Sequence, residues 1–261
     1  MAGIAEAAEE GRIGCPRCKN DGSQMSIRLQ KADDLYAAFK TKEALGELQK
    51  VLEVDPQNHE ALSKIARVYV DFGDMVPEGA PDSKEKKLSH YQKAEEYARK
   101  AVKSDPHSTW GHFYVAVSLG KIAALSSISR QVELAGEVRE AVEKAIAQDP
   151  KNGYAYHVYG IWHRRMAEIG QMSRMLASMV LWRTIPQGSL EKSAEYLKKA
   201  ISLNPSVIAS HLELGKSYVA MGKMQLALSS LTTALELPIH FSDDPEHKKA
   251  ARQLLQEIKD R

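Results

Sequence analysis

The residues of this chain best suited to do chemistry are two thiols, Cys15 and Cys18, and a set of aromatic and basic residues between Trp110 and Arg183. Cys15-Pro-Arg-Cys18 is similar to half of a zinc knuckle, since two thiolates separated by two residues can share one tetrahedral ion. A closed structural site needs four ligands, and the nearest His is His59. The ligand count therefore argues against a metal; a redox pair is the other chemical reading, and an unstructured leader is the reading that the surrounding Gly and Asn-Asp-Gly favour. No cofactor is expected. The sequence has no Gly-rich phosphate loop after a strand, no H-E-x-x-H and no strand pattern that would present a nucleophile, so we expect a protein that is not an enzyme.

The second set is different in kind. Trp110, Phe113, Tyr114, Tyr154, His157, Ile161 and Trp162 fall within helical patterns, with Arg164, Arg165, Arg174 and Arg183 close behind. Aromatic groups beside Arg are the usual central residues of a protein interface. Core packing is the competing reading for each ring, and a solvated basic face is the competing reading for the charge. From Lys151 to Leu190 the basic residues are Lys151, Arg164, Arg165, Arg174 and Arg183, with Glu168 the only acid. We expect that stretch to be the main surface for an anionic partner, and expect reversal of Arg164 and Arg165 to abolish binding without changing helicity or melting.

The elements that must position these residues are helices. Ala, Leu, Lys and Glu are abundant in the 261 residues, 43% of which are hydrophobic and 27% charged, with only 10 Pro. A recurring acidic-or-Asn–Pro pair punctuates the chain at Pro56, Pro106, Pro150 and Pro205, each with Val or Ala five residues earlier, at Val51, Ala101, Ala145 and Ala200. Pro ends the helix and the small residue admits a neighbour. After the Pro a second set of offsets recurs, with Leu62, Ile65, Ala66, Tyr69 and Gly73 matching His211, Leu214, Gly215, Tyr218 and Gly222, and with Ala116 and Gly160 holding the small position in between.

Together these offsets resemble the tetratricopeptide motif over about residues 26–238. They predict an all-α, tetratricopeptide-type solenoid of helical hairpins. A standard unit has ~34 residues. Here Pro56 to Pro106 is 50, Pro106 to Pro150 is 44 and Pro150 to Pro205 is 55, so each of these repeats is enlarged. The insertions read as a surface loop leading into a helix start (MVPEGAPDSKEKKLSH), a lengthening of two helices around Ser126–Gly136, and an extra amphipathic helix carrying Met172, Met175, Leu176, Met179 and Trp182. Residues 247–259 place Ala250, Leu254, Leu255 and Ile258 on one stripe, a capping helix. Residues 1–25 are assigned to the unstructured leader and 26–261 to the repeat domain.

With YARKAVKSDP, AVEKAIAQDP, AYHVYGIWHRRMAE and TIPQGSLEKSAEYLKKAI in this enlarged spacing, the chain resembles the regulator of microtubule dynamics family, most strongly from Tyr97 to Pro238. The resemblance implies a helical scaffold in the cytoplasm that is linked to microtubules and the spindle, and in some relatives to membrane contacts and lipid handling. A protein partner, tubulin or the microtubule among the candidates, is thus expected; a lipid or an anionic membrane surface held on the aromatic groove is the alternative.

Other partner classes are disfavoured. The 36 basic and 34 acidic residues leave a formal net charge of +2, which gives no global field for nucleic acid. An uncharged apolar run such as Met175 to Trp182 is far short of the ~20 residues that cross a bilayer, so no transmembrane segment is expected. The Lys/Asn/Arg clamp by which some tetratricopeptide domains hold acidic chaperone tails is missing. Its places carry Ser63 and Arg67, then Trp110, Phe113, Tyr114 and Val117, then Tyr154, His157, Val158 and Ile161.

Overall fold

The computed structural model describes residues 16–77, 79–170, 175, 179, 186–241 and 243–260. Its contacts divide the chain into two units, Met1–Pro56 and Gln57–Arg261. The first holds a helical hairpin, α1 (Pro16–Ala37) and α2 (Thr41–Val54). Phe39 makes the turn between them with φ of 59°. The hairpin is tied by the buried Glu47, whose carboxylate accepts from Arg28, Lys31 and Lys50 at 2.9, 2.9 and 3.0 Å. Helix α1 starts at Pro16, inside the segment assigned from composition to an unstructured leader. Cys18 lies within that helix, whereas Cys15 is outside the described residues.

The second unit repeats the hairpin: α3 (His59–Asp74) with α4 (Ser83–Ser104), α5 (Thr109–Ala124) with α6 (Ile128–Gln148), α7 (Gly153–Glu168) with α8 (Leu190–Leu203), and α9 (Ile208–Ala220) with α10 (Met224–Glu236). Helix α11 (Asp244–Lys259) closes it. Each helix packs on the next, and the first helices also touch one another in the series α3, α5, α7, α9. Among the described residues there is no strand. The fold is the all-α tetratricopeptide type that the offsets predicted.

Local chemistry explains why the hairpins start where they do. Two residues after Pro56, Pro106 and Pro150 stand Asn58, Ser108 and Asn152, whose side chains accept from the N–H groups of Ala61, Gly111 and Ala155 at 3.0, 3.1 and 3.1 Å. A side-chain acceptor there satisfies a helical N–H that would otherwise lack a partner. Six residues after the Pro, His112 and His211 hold the turn from inside, each donating Nε2–H to the Pro carbonyl, at 2.9 Å to Pro106 and 3.0 Å to Pro205. The small position also has its expected use. A Cβ on Gly160 would lie 2.6 Å from Cγ of Leu197, and one on Gly215 would lie 2.7 Å from Cγ of Leu231, so the second helix inserts a Leu where the first lacks a side chain.

The first insertion follows the sequence, whereas the second lengthens one helix and not the expected two: α5 stops at Ala124 with the 16 residues of α3 and α7, and the inserted residues enter α6. Residues 75–77 and 79–82 belong to the connection before α4, and α6 runs to 21 residues. The Met-rich insertion lies largely outside the described residues; Met175 and Met179 are helical and exposed. The capping helix begins at Asp244, three residues earlier than its apolar stripe suggested. Ala250, Leu254, Leu255 and Ile258 pack against Ile208, Leu212, Leu231 and Ala234 of the last hairpin, as expected of a cap.

Candidate functional site

The face made by α5 and α7 gathers the predicted aromatic residues. Trp110, in the first turn of α5, lies 5.4 Å from Phe113, 6.1 Å from Tyr114 and 6.3 Å from Tyr154 of α7, centroid to centroid. Phe113 and Tyr114 are buried, while Trp110 stays 45% exposed. A fifth ring, Phe241, meets Tyr154 edge-on at 6.4 Å. The sequence reading missed Phe241 because it stands in the segment before α11, remote along the chain. Its backbone is held by Asp244, which is 1% exposed and accepts the N–H groups of both His240 and Phe241 at 2.8 Å. Interlocked rings of this kind lose little entropy on binding and present a rigid apolar shelf.

The other predicted residues separate. Trp162 is only 5% exposed and donates Nε1–H to the carbonyl of Ala135 in α6, so it packs α7 onto the preceding hairpin and offers nothing to a partner. Ile161 is half-buried. His157 hydrogen-bonds through Nδ1 to Oγ of Ser210 at 3.0 Å, and loss of solvent pushes its pKa down to about 4. That pair has the composition of a nucleophile and its base, yet Ser210 is 1% exposed, so the hydroxyl cannot meet a substrate and the bond ties α7 to α9.

Arg164 requires a correction. It is 6% exposed, with Nη1 2.8 Å from Glu168 and Nη2 2.5 Å from Glu213 of α9, and Lys216 completes the cluster at 2.6 Å from Glu213. Although burial pushes the other way, the facing cations hold the Glu213 carboxyl at about 2. The basic excess read from residues 151–190 is thus answered by an acid from the next repeat, and Arg164 is a bridge between repeats. Arg165 is exposed on the same helix, and Arg174 and Arg183 lie outside the described residues. Close by, His163 is buried against Tyr159 and Tyr196, with neither ring nitrogen hydrogen-bonded; burial lowers its pKa to about 4 and keeps it neutral.

Among the described residues, Asp243, Asp244 and His247 bring possible metal-binding atoms together. Asp244 already serves as the acceptor that bends the chain into α11, which accounts for its burial. No helix of the described residues is long and apolar enough to cross a membrane. The arrangement on α5 and α7 leaves one face of the Trp110 ring open over packed rings, a surface on which an apolar or aromatic group can be buried.

The fold has counterparts among solved structures. A thermophilic tetratricopeptide protein of Thermus thermophilus, TTC0263, superposes with a TM-score of 0.60 at 18% identity, covering 88% of this chain and 99% of that one. The type IV pilus biogenesis factor PilW gives 0.53 at 18% identity over 90% of each chain. Sequence relatives are closer in kind. Regulator of microtubule dynamics protein 1 of Bos taurus is 30% identical over 89% of this chain and 72% of its own length. The Homo sapiens protein of that name is 31% identical over 74% and 60%. Regulator of microtubule dynamics protein 3 of Rattus norvegicus is 24% identical over 88% of this chain and 48% of its own. The sequence model for Regulator of microtubule dynamics protein 1-3 matches residues 28–259, and the chain belongs to that family.

Proposed function

We propose that this protein is a non-catalytic, cytoplasmic scaffold that holds a protein partner on the face of α5 and α7, and that the partner is tubulin or the microtubule lattice. The observation that carries the reading is Trp110, a large ring left 45% exposed against three others, one of which, Tyr154, also meets Phe241. An exposed Trp on a rigid aromatic base is the kind of residue that dominates binding energy. The names of the relatives, regulators of microtubule dynamics, support this choice of partner.

Trp110→Ala should reduce co-sedimentation with microtubules at least about tenfold while the melting temperature falls by no more than about 5 °C, because the indole is nearly half exposed and the rings beneath it stay packed. Unchanged co-sedimentation would remove this face from microtubule binding. The same shelf favours a second reading, an acyl chain lying across the rings. Acyl burial is nearly indifferent to salt, whereas a charged protein surface is screened over ~8 Å at physiological ionic strength. Loss of vesicle binding in Trp110→Ala with no loss on microtubules, and no effect of salt, would select the lipid.

A further inference from the structure

Helix α4 carries seven basic residues against three acids, so the rest of the chain has 29 basic and 31 acidic residues and is slightly negative. The positive excess of the protein is therefore concentrated on one helix. Within it, Lys86, His90, Lys93, Tyr97 and Lys100 follow one another at alternating steps of four and three, which places them along one face. Lys86, Lys93 and Lys100 are exposed. Between them lies a half-buried aromatic bed: Tyr69 of α3 stacks on Tyr97 at 5.6 Å and 13°, and meets Phe72 at 5.9 Å and His90 at 6.3 Å. Two of the cations stand over this bed, with Lys93 Nζ 5.5 Å from the Tyr69 ring and Lys100 Nζ 5.1 Å from the Tyr97 ring.

The rings give the long Lys side chains a surface to lie on, which lowers the entropy lost when a ligand is bound. The competing contacts are weak. Lys100 pairs with Glu96 at 2.6 Å, an exposed pair of the kind that contributes little, and Lys86 donates to the carbonyl of Pro81 at 3.1 Å. Glu95 is engaged by Arg99, which also reaches Glu137 of α6.

We propose that this face of α4 is a second docking surface, separate from the rings of α5 and α7, and that it takes an extended acidic protein segment. Successive cations are seven residues apart, about 10 Å along a helix that rises 1.5 Å per residue. An extended chain advances about 3.3 Å per residue, so carboxylates at every third position meet Lys86, Lys93 and Lys100 in turn. Three cations release few counterions, and the rings beneath them are already stacked on one another, which disfavours nucleic acid. The stripe has no exposed aliphatic residue to enter a bilayer.

The test uses the whole chain and a fluorescein-labelled peptide of Glu-Gly-Ser repeats, about a dozen residues long, read by fluorescence anisotropy. Reversal of three cations together (K86E, K93E, K100E) should weaken binding about tenfold or more, as expected for the loss of three exposed ion pairs. Reversal of Lys42, Lys198 and Lys199, three exposed lysines elsewhere, changes the net charge equally and should weaken it less than about twofold. A peptide of the same composition with its Glu residues clustered at one end should bind more weakly, and circular dichroism checks that each variant is folded. Trp110→Ala should leave peptide binding unchanged, which keeps this result distinct from the fate of the microtubule reading.

Equal loss in both triple variants would reduce the effect to net charge and overturn the proposal. It would also be overturned by absence of binding in the unaltered protein, or by loss in Trp110→Ala. Tighter binding of an oligothymidine or of phosphatidylserine vesicles, abolished by the α4 reversal, would assign the face to nucleic acid or membrane instead.

Discussion

At the scale of single residues, the small position of the repeat separates two glycines that look alike in sequence. Gly160 faces Leu197, which is fully buried and cannot withdraw, and the carbonyl of Ser193 is 3.2 Å from where a Cβ would stand. Gly136 in α6 is exposed and has nothing within 4 Å of that point. Gly160→Ala should therefore lower stability by about 1–3 kcal/mol through overpacking, despite the better helix propensity of Ala. Gly136→Ala should raise it by about 0.5–1 kcal/mol. Urea denaturation of the two variants decides the point, since a gain at residue 160 would mean that α7 and α8 do not meet as described. The sequence marked Gly160 as special by its offset from other repeats, whereas nothing in the local sequence tells that the space around Gly136 is open.

Between elements, the cluster of Arg164, Glu168, Glu213 and Lys216 joins α7 to α9 across a hairpin boundary. Removing one member of a buried ion pair leaves the others without compensation. Arg164→Met should cost about 3 kcal/mol, and Arg164→Glu at least as much, because it sets a third carboxylate beside two. Arg165→Glu, on the exposed side of the same turn, should leave the denaturation midpoint within about 0.5 kcal/mol of the parent. Equal effects at 164 and 165 would refute the bridge. From the sequence alone the two arginines are equivalent, and both fit a partner-binding face. Their difference arises because the helical turn points one toward a residue 49 positions further along the chain.

For the whole molecule, the titratable groups that resist protonation in the folded state all weigh in one direction. Burial holds His157 and His163 at about 4, below their ordinary 6.5, so between those values the unfolded chain binds more protons and stability falls as pH is lowered. Glu47 and Glu213 are held at about 2 by facing cations, and their contribution, complete above 4.5, is lost as pH drops toward 2. The melting temperature should be level from about pH 7 to 8, start to fall below about 6.5 and fall further below about 4.5. A His163→Phe variant, which keeps a ring between Tyr159 and Tyr196, should flatten the upper part of that profile; an unchanged profile would show that His163 is not buried neutral. The repeats, the hairpin boundaries and the capping helix were legible in the sequence, because Pro, small residues and apolar stripes act through local geometry that repeats from unit to unit. The gathering of Trp110, Phe113, Tyr114 and Tyr154 was legible for the same reason. Three matters were decided only by the tertiary structure: that Phe241 joins those rings, that Trp162 turns into the core, and that Glu213 neutralises Arg164. Each depends on a partner in another hairpin, and the direction in which a side chain meets a distant neighbour is fixed by packing, which no spacing along one helix encodes.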